Sequence, residues 1–135
     1  MNTVTPYLLY EDVASSLAFL SRAFGLTETL RYDDPAGYIS HAEMRHGDGT
    51  IMLGHPGPAY RSPIHLGTTT VQIHVQVNDV DTACVRARDA GAVITSELED
   101  HTDGERRFSA TDPEGHVWTF GHTFRDVPVS QWHKK

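Results

Sequence analysis

The sequence has one cysteine, no long apolar run and few clustered basic residues, and each scarcity excludes a class of protein. Cys84 alone cannot form an internal disulfide in this chain of 135 residues, which argues against a secreted disulfide framework. No apolar stretch reaches the roughly 20 residues of a membrane span, and residues 1–6 lack the pattern of a secretory signal. Lysine and arginine number 11 against 18 aspartates and glutamates, and adjacent basic pairs occur only at Arg106-Arg107 and Lys134-Lys135. We therefore expect a soluble, cytoplasmic protein that binds neither nucleic acid nor a membrane.

What the sequence does contain is an internal repeat. Each half predicts a strand, a helix that opens at an aspartate and stops at a glycine, a further strand and a hairpin. The matched positions are Asp12 and Asp79 at the helix starts, Gly25 and Gly91 at the helix ends, and Gly49 and Gly115 in the hairpins. Cys84 lies on the apolar stripe of the second helix, where a small buried side chain is expected rather than a nucleophile.

This repeat predicts a single domain, residues 1–135, of the α+β class. It comprises a first βαβββ module over residues 4–54, a linker over 55–68, a second module over 69–122 and a C-terminal tail over 123–135. The linker is rich in proline and glycine and is expected to hold no regular structure. Its Tyr60-Arg61 pair could fold over a pocket as a lid or could simply be exposed. The apolar tail could pack on a neighbouring molecule or along its own sheet.

The strand that begins the second module alternates apolar and polar side chains without interruption from Val71 to Val77. In a strand, successive side chains point to opposite faces, so Gln72, His74 and Gln76 share one face. Amide and imidazole groups can each donate and accept hydrogen bonds, which suits the lining of a cavity. The alternative is an ordinary half-exposed strand whose wet face holds these residues.

The repeat, the helix-opening aspartates and the segment 112–118, Asp-Pro-Glu-Gly-His-Val-Trp, together resemble the vicinal oxygen chelate superfamily. That superfamily includes glyoxalase I, extradiol dioxygenases, fosfomycin-modifying transferases and bleomycin resistance proteins. The resemblance implies that the two modules form a half-open cup of mixed β-sheet. It places Gln72, His74 and Gln76 inside the cup and the valines and isoleucine of the same strand under the second helix.

Metal-using members of the superfamily take one ligand from each of four strands, and the resemblance places those positions at Thr5, Leu53, Gln72 and Thr119. Of these only Gln72 could coordinate a metal, whereas a catalytic site needs about three ligands from His, Asp, Glu or Cys. We therefore expect no metal at these positions and no cofactor. A less favoured alternative is a non-standard metal cluster of Gln72, His74 and His55.

The remaining histidines suggest no other site. His41 and Glu43 share a face of their strand, but the sequence does not tell which face. His122 alternates with Trp118 and Phe120 and should follow the side that packs on the helix. The default for the others is solvated surface: His46, His65, His101, His116 and His133.

Two function classes follow from these expectations. The favoured one is a protein that binds a small organic ligand in the cup, as metal-lacking bleomycin resistance proteins sequester a drug. The alternative is a metal-free isomerase, epimerase or lyase in which His74 is the base and Gln72 or Tyr7 steadies an oxyanion. Relatives usually pair, so a homodimer is expected. The candidate ligand-binding residues are Thr5, Tyr7, Leu53, His55, Gln72, His74, Gln76 and Thr119.

Overall fold

The computed structural model describes residues 3–133 and contains two four-stranded sheets, each with its own helix. The first module consists of β1 (Tyr7–Leu9), α1 (Val13–Phe24), β2 (Thr27–Asp33), β3 (Ile39–His46) and β4 (Gly49–Gly54). After the short helix α2 (Pro63–Leu66), the second module consists of β5 (Gln72–Gln76), α3 (Val80–Asp89), β6 (Val93–Asp100), β7 (Glu105–Thr111) and β8 (Val117–Thr123). Lys134 and Lys135 of the predicted tail lie outside the described residues, as do Met1 and Asn2.

The strand orders are β1-β4-β3-β2 and β5-β8-β7-β6, so the two modules have the same topology. The first and last strands of each module are parallel and the other neighbours antiparallel. Both sheets are open. The predicted α+β fold of two βαβββ modules is confirmed. Among residues 3–133, no helix has the length and apolar character that a membrane span requires.

The helix starts follow the predicted capping. The Asp12 carboxylate accepts a hydrogen bond from the Ser15 amide, and Asp79 accepts one from Thr82 in the same way. Gly25 closes α1 with a φ of 73°, a left-handed conformation that favours glycine.

The core lies between the helices and one face of each sheet. Phe24, at the end of α1, joins the two halves, because its ring lies 5.3 Å from that of Trp118 and 4.8 Å from that of Phe120. Burying three such rings against one another stabilises the fold by several kcal/mol on the usual area scale, about 25 cal/mol per Å². The two modules therefore share one hydrophobic core.

The turn between β7 and β8 also holds the modules together. Asp112 is buried, and its carboxylate accepts hydrogen bonds from the Tyr10 hydroxyl at 2.7 Å and the Trp118 indole at 3.2 Å. Burial, and then the charge of Asp112, raise the pKa of the Tyr10 phenol well above its usual value. Two residues on, Glu114 accepts the backbone amides of Glu11 and Asp12 at the start of α1.

The linker is more ordered than its proline and glycine content predicts. Residues 63–66 form α2, so the expectation of no regular structure is wrong there; Pro63 suits the first turn of a helix, where no amide donor is needed. The Glu11 carboxylate accepts the Ser62 amide and hydroxyl and the His65 imidazole. Tyr60 donates its hydroxyl to the Leu9 carbonyl and so lies against the end of β1.

The C-terminal tail packs against its own molecule. The Phe124 amide donates to the Gly104 carbonyl at 2.9 Å, and the Thr102 hydroxyl bonds to the Trp132 carbonyl. The tail thus packs beside the turn between β6 and β7.

Candidate functional site

Each sheet has one face on the core and one polar face, and the candidate site lies on the polar faces. In the second sheet, His74 of β5 stands opposite Thr119 of β8, which stands opposite Ser109 of β7. Residues paired across strands point to the same side. The predicted polar face of β5 is confirmed, since Gln72, His74 and Gln76 are exposed whereas Val75 is buried.

A carboxylate organises this face. Glu105 accepts hydrogen bonds from His74 Nε2 at 3.0 Å and Gln76 Nε2 at 2.9 Å, and Arg107 donates to its other oxygen at 3.1 Å. Only 12% of the Glu105 side chain is exposed, against 45% of the His74 side chain, so the carboxylate is largely covered while its partners face solvent, and charge-assisted bonds of this kind are stronger than neutral ones. Because a carboxylate can only accept, His74 Nε2 donates this bond, and in the neutral imidazole Nδ1 is left as an acceptor.

Gln72 belongs to a second hydrogen-bonded group on the same face. The Thr119 hydroxyl donates to Gln72 Oε1 at 3.1 Å and shares a 2.7 Å hydrogen bond with the Ser109 hydroxyl. The amide nitrogen of Gln72 stays available to a ligand.

The polar face of the first sheet is built around a tyrosine. The Tyr7 hydroxyl lies 2.9 Å from His41 Nδ1, and His41 Nε2 lies 3.1 Å from Glu43 Oε2. This settles which face His41 and Glu43 occupy: they share the face of Tyr7. Leu9 and Leu30 are exposed on that face, so polar groups alternate with apolar surface.

Leu53 does not lie on the polar face, and its predicted position there is wrong. Its side chain is fully buried, and it stands opposite Leu8 and Ala42 in the core. Met52 takes the expected place, because it pairs with Tyr7 as Thr119 pairs with His74 in the second module. Shifting the register of a strand by one residue exchanges its two faces.

The four positions at which the superfamily holds its metal do not fit one here. With the corrected register they are Thr5, Met52, Gln72 and Thr119, a set without a carboxylate or an imidazole. Thr5 is half-buried just before β1, while the Thr119 hydroxyl is already engaged with Gln72 and Ser109. Across residues 3–133, no three His, Cys, Asp or Glu side chains cluster as a metal site would require.

His55 lies apart from His74, so the alternative cluster of Gln72, His74 and His55 does not form. His55 Nδ1 donates to the Tyr10 carbonyl, and its ring packs edge-on against Tyr38.

Two of the other histidines, His116 and His122, form hydrogen bonds with the backbone of neighbouring elements. His116 is buried, contrary to the expectation of solvated surface: its Nε2 donates to the Leu9 carbonyl, and its ring contacts that of Tyr10. His122 accepts the Val80 amide at the start of α3, on the helix side, as predicted.

A cleft of about 740 Å³ opens between the modules along β5, and residues from both faces of that strand line it, Ile73 and Val75 as well as His74 and Gln76. His74 and Gln76 border it, with Phe24, Met44 and Phe120 among its apolar walls. Pockets for small organic ligands typically measure about 300–1,000 Å³ and combine apolar walls with a few polar groups.

Sequence reasoning missed Glu105, which organises the second polar face. The available signal was the alternation of Glu105, Arg107 and Ser109 with the buried Phe108 and Ala110.

Two open sheets from a duplicated βαβββ module, with hydrogen-bonding side chains on their polar faces, define the class of this protein. The sequence matches the model of the Glyoxalase/Bleomycin resistance protein/Dioxygenase superfamily over residues 2–120. The chain belongs to this superfamily, which confirms the resemblance.

The chain is similar to uncharacterized proteins of Mycobacterium bovis and Mycobacterium tuberculosis. Each is 36% identical over 133 residues, which cover 95% of this chain and 88% or 78% of the relative. Among solved structures, TioX from Micromonospora sp. ML1 has a TM-score of 0.74 and 31% identity, covering 91% of this chain and 99% of TioX. A glyoxalase/bleomycin resistance protein/dioxygenase from Nocardioides has a TM-score of 0.70 at 20% identity, covering 96% and 88%.

Proposed function

We propose that this protein binds a small organic ligand on its polar sheet faces without the metal site of its superfamily, and that it sequesters a drug or metabolite. The observation that carries the proposal is the Glu105 cluster, which fixes His74 and Gln76 beside a cleft of ligand size. Side chains already held by hydrogen bonds present their donors and acceptors to a ligand without a large ordering cost.

The ligand that suits these faces is partly apolar and forms hydrogen bonds. Tyr7 and Leu9 supply exposed apolar surface, and Gln72 and His74 supply polar groups. His55 and Leu53, which are engaged elsewhere, are not part of this proposal. Thr119 is buried and holds Gln72 by a hydrogen bond, and Thr5 lies at the edge of the proposed surface. No cofactor is needed for binding of this kind.

One observation favours a second function, that of a metal-free isomerase, epimerase or lyase. His74 is hydrogen-bonded to Glu105 at 3.0 Å, and an imidazole oriented by a carboxylate is a competent general base near neutral pH. Gln72 or Tyr7 would then steady the oxyanion that forms when His74 removes a proton.

A thermal-shift screen of metabolites and antibiotics, followed by calorimetric titration of the hits, tests the proposal. For a binder, Gln72→Ala and His74→Ala should each weaken affinity about 10-fold, the value of one good hydrogen bond, and no product should form. The matched control is Gln131→Ala, an exposed amide in the tail, which should bind as the unaltered protein does. Affinity unaffected by both site variants would contradict the proposal.

The same variants distinguish the second function. For an enzyme, His74→Ala should leave ligand affinity nearly unchanged and abolish turnover. Chromatography of the ligand after incubation with the protein separates the two outcomes.

We further propose that the protein is a homodimer. Each open sheet ends in two edge strands, β1 and β2 in the first and β5 and β6 in the second, and unpaired edges favour association. Sedimentation velocity at micromolar concentration should give the mass of two chains; a monomer throughout would contradict the proposal.

A further inference from the structure

The side chains of Tyr7, His41 and Glu43 form a continuous hydrogen-bonded chain on the first sheet. The Tyr7 hydroxyl donates to His41 Nδ1 at 2.9 Å, and His41 Nε2 donates to Glu43 Oε2 at 3.1 Å. These directions follow for a neutral imidazole, because the carboxylate can only accept, so His41 Nε2 carries the proton and Nδ1 the lone pair. A hydroxyl, an imidazole and a carboxylate in this order make the hydroxyl a better base and nucleophile than it is alone.

The three hydrogen-bonded residues differ in their exposure to solvent. The side chains of His41 and Glu43 are 29% and 30% exposed, whereas Tyr7 is 51% exposed. The phenol is therefore the end that an incoming molecule meets, and the other two groups stand behind it. The Tyr7 and His41 rings are nearly perpendicular, with their centroids 5.5 Å apart and their planes at 81°.

The internal repeat places these three hydrogen-bonded residues at positions that match the Glu105 cluster of the second module. Tyr7 in the first module and His74 in the second take the same place in their sheets, since each pairs with the strand that closes its module. Each sheet also carries a carboxylate–imidazole pair on its polar face, Glu43 with His41 and Glu105 with His74. The second pair belongs to the site proposed above, and the first has no role there.

We propose that Tyr7, His41 and Glu43 form an acid–base relay whose working group is the Tyr7 hydroxyl and whose ligand carries a proton-bearing polar group beside an apolar body. Exposed Leu9 and Leu30 next to the relay provide the surface for that body. The relay deepens the proposed function and rests on it only for the identity of the ligand. Tyr7 touches the ligand; His41 and Glu43 are positioning residues.

The proton transfers balance within the three residues and the ligand. The Tyr7 proton moves to His41 Nδ1 as the phenolic oxygen takes a proton from the ligand. The ligand leaves this step as an anion, Tyr7 is again neutral, and the imidazolium stands between the phenol and the Glu43 carboxylate. The reverse transfer returns the proton, so no oxidant, reductant or further reactant is consumed.

The test uses N-acetylimidazole on the intact protein at pH 7.5, with the acetylation rate of each tyrosine read by peptide mass spectrometry. Tyr32 is the internal control, because it stands opposite His41 on β2, is 55% exposed, and its hydroxyl has no hydrogen-bond partner within residues 3–133. With its phenol activated by a general base, Tyr7 should react at least about 10-fold faster than Tyr32. Equal rates in the unaltered protein would overturn the proposal.

Three variants locate the cause of the difference. His41→Gln should lower the Tyr7 rate to that of Tyr32, and Glu43→Gln should lower it part of the way, while the Tyr32 rate stays constant. Gly54→Ala alters none of the three relay residues but would put a Cβ 2.5 Å from the Tyr7 ring and displace it, so it should also slow Tyr7. A parallel change at both tyrosines, which indicates general loosening of the sheet, or no change at Tyr7 would overturn the relay. Because no ligand is needed, failure here is distinct from failure of the ligand screen.

Discussion

Two glycines show how a single methyl group would move a functional side chain. The Tyr7 ring lies over Gly54 in β4, and the Glu105 carboxylate lies over Gly121 in β8. Neither glycine adopts a positive φ, so the space above the backbone, and not its conformation, favours glycine at these positions. Since β4 and β8 are matching strands of the repeat, both modules use the same device to bring a side chain close to the sheet.

We expect Gly121→Ala to displace Glu105 from His74 and Gln76. The new Cβ would stand 2.5 Å from the Glu105 carboxyl carbon, and the flexible end of that side chain would yield before the backbone does. The His74 ring nitrogen signals in NMR spectra should shift as they do in Glu105→Gln, with little change in melting temperature. The control is Gly49→Ala in β4, where a Cβ would lie 3.4 Å from the nearest backbone oxygen. Unchanged His74 signals in Gly121→Ala would contradict this prediction.

The sequence predicted part of the site and missed part of it for a physical reason. Strand alternation is a local property, so Gln72, His74 and Gln76 were placed on the right face. Leu53 was misplaced because its position was carried over from the resemblance and not from the alternation of its own strand, and an error of one residue reverses the face. Glu105 and the burial of His116 depend on contacts between strands or modules, which alternation within one strand does not report.

At the scale of elements, the turn from Asp112 to Gly115 connects the two modules through hydrogen bonds. Its Asp112 carboxylate receives four hydrogen bonds, two from side chains and two from the backbone amides of Glu114 and His116. A hairpin turn therefore does more than reverse the chain, since it satisfies polar groups from both ends of the molecule.

We expect Asp112→Asn to lower the free energy of unfolding by about 2–4 kcal/mol, because an amide nitrogen would face donors that now meet a buried carboxylate. Urea unfolding followed by circular dichroism measures the change. The exposed Asp126→Asn serves as control and should stay within about 0.5 kcal/mol of the unaltered protein. Equal urea midpoints for the two variants would mean that the hydrogen bonds of Asp112 do not contribute to the free energy of unfolding.

The elements themselves were largely predictable. Asp12 and Asp79 before apolar stripes gave the helix starts, and alternation gave the strands, with ends shifted by a few residues. The exception is α2, whose four residues lie in a segment rich in Pro and Gly. That helix depends on contacts with Glu11, some fifty residues earlier in the chain, and no local pattern reports such a contact.

At the scale of the whole molecule, Glu11 makes the attachment of the linker to the first module sensitive to acid. Hydrogen bonds from the Ser62 amide, from His65 and from the Ser62 hydroxyl lower the pKa of Glu11 from 4.5 to about 2. Because the pKa of Glu11 is lower in the folded protein than in the unfolded chain, its ionised carboxylate stabilises the folded state at every pH above the unfolded-state pKa of 4.5. This contribution is lost as the pH falls from about 4.5 towards 2.

Thermal melting of the unaltered protein and Glu11→Gln from pH 7 to pH 2 checks this expectation. The unaltered protein should be the more stable at neutral pH, and the two melting curves should converge as the pH approaches 2. The other carboxylates are common to both proteins and cancel in the comparison. A difference in melting temperature that is independent of pH would contradict the assignment.

The bond from Tyr10 to Asp112 spans 102 positions of the sequence, and this has a consequence for biosynthesis. At about 5–20 residues per second, a ribosome needs roughly 5–20 s to add that stretch. During this interval the nascent first half lacks the Asp112 partner of the Tyr10 hydroxyl, Glu114 at the start of α1, and the Trp118 and Phe120 rings that pack on Phe24. Dependence on chaperones should therefore be concentrated in the first half of the chain and end once the last hairpin has emerged.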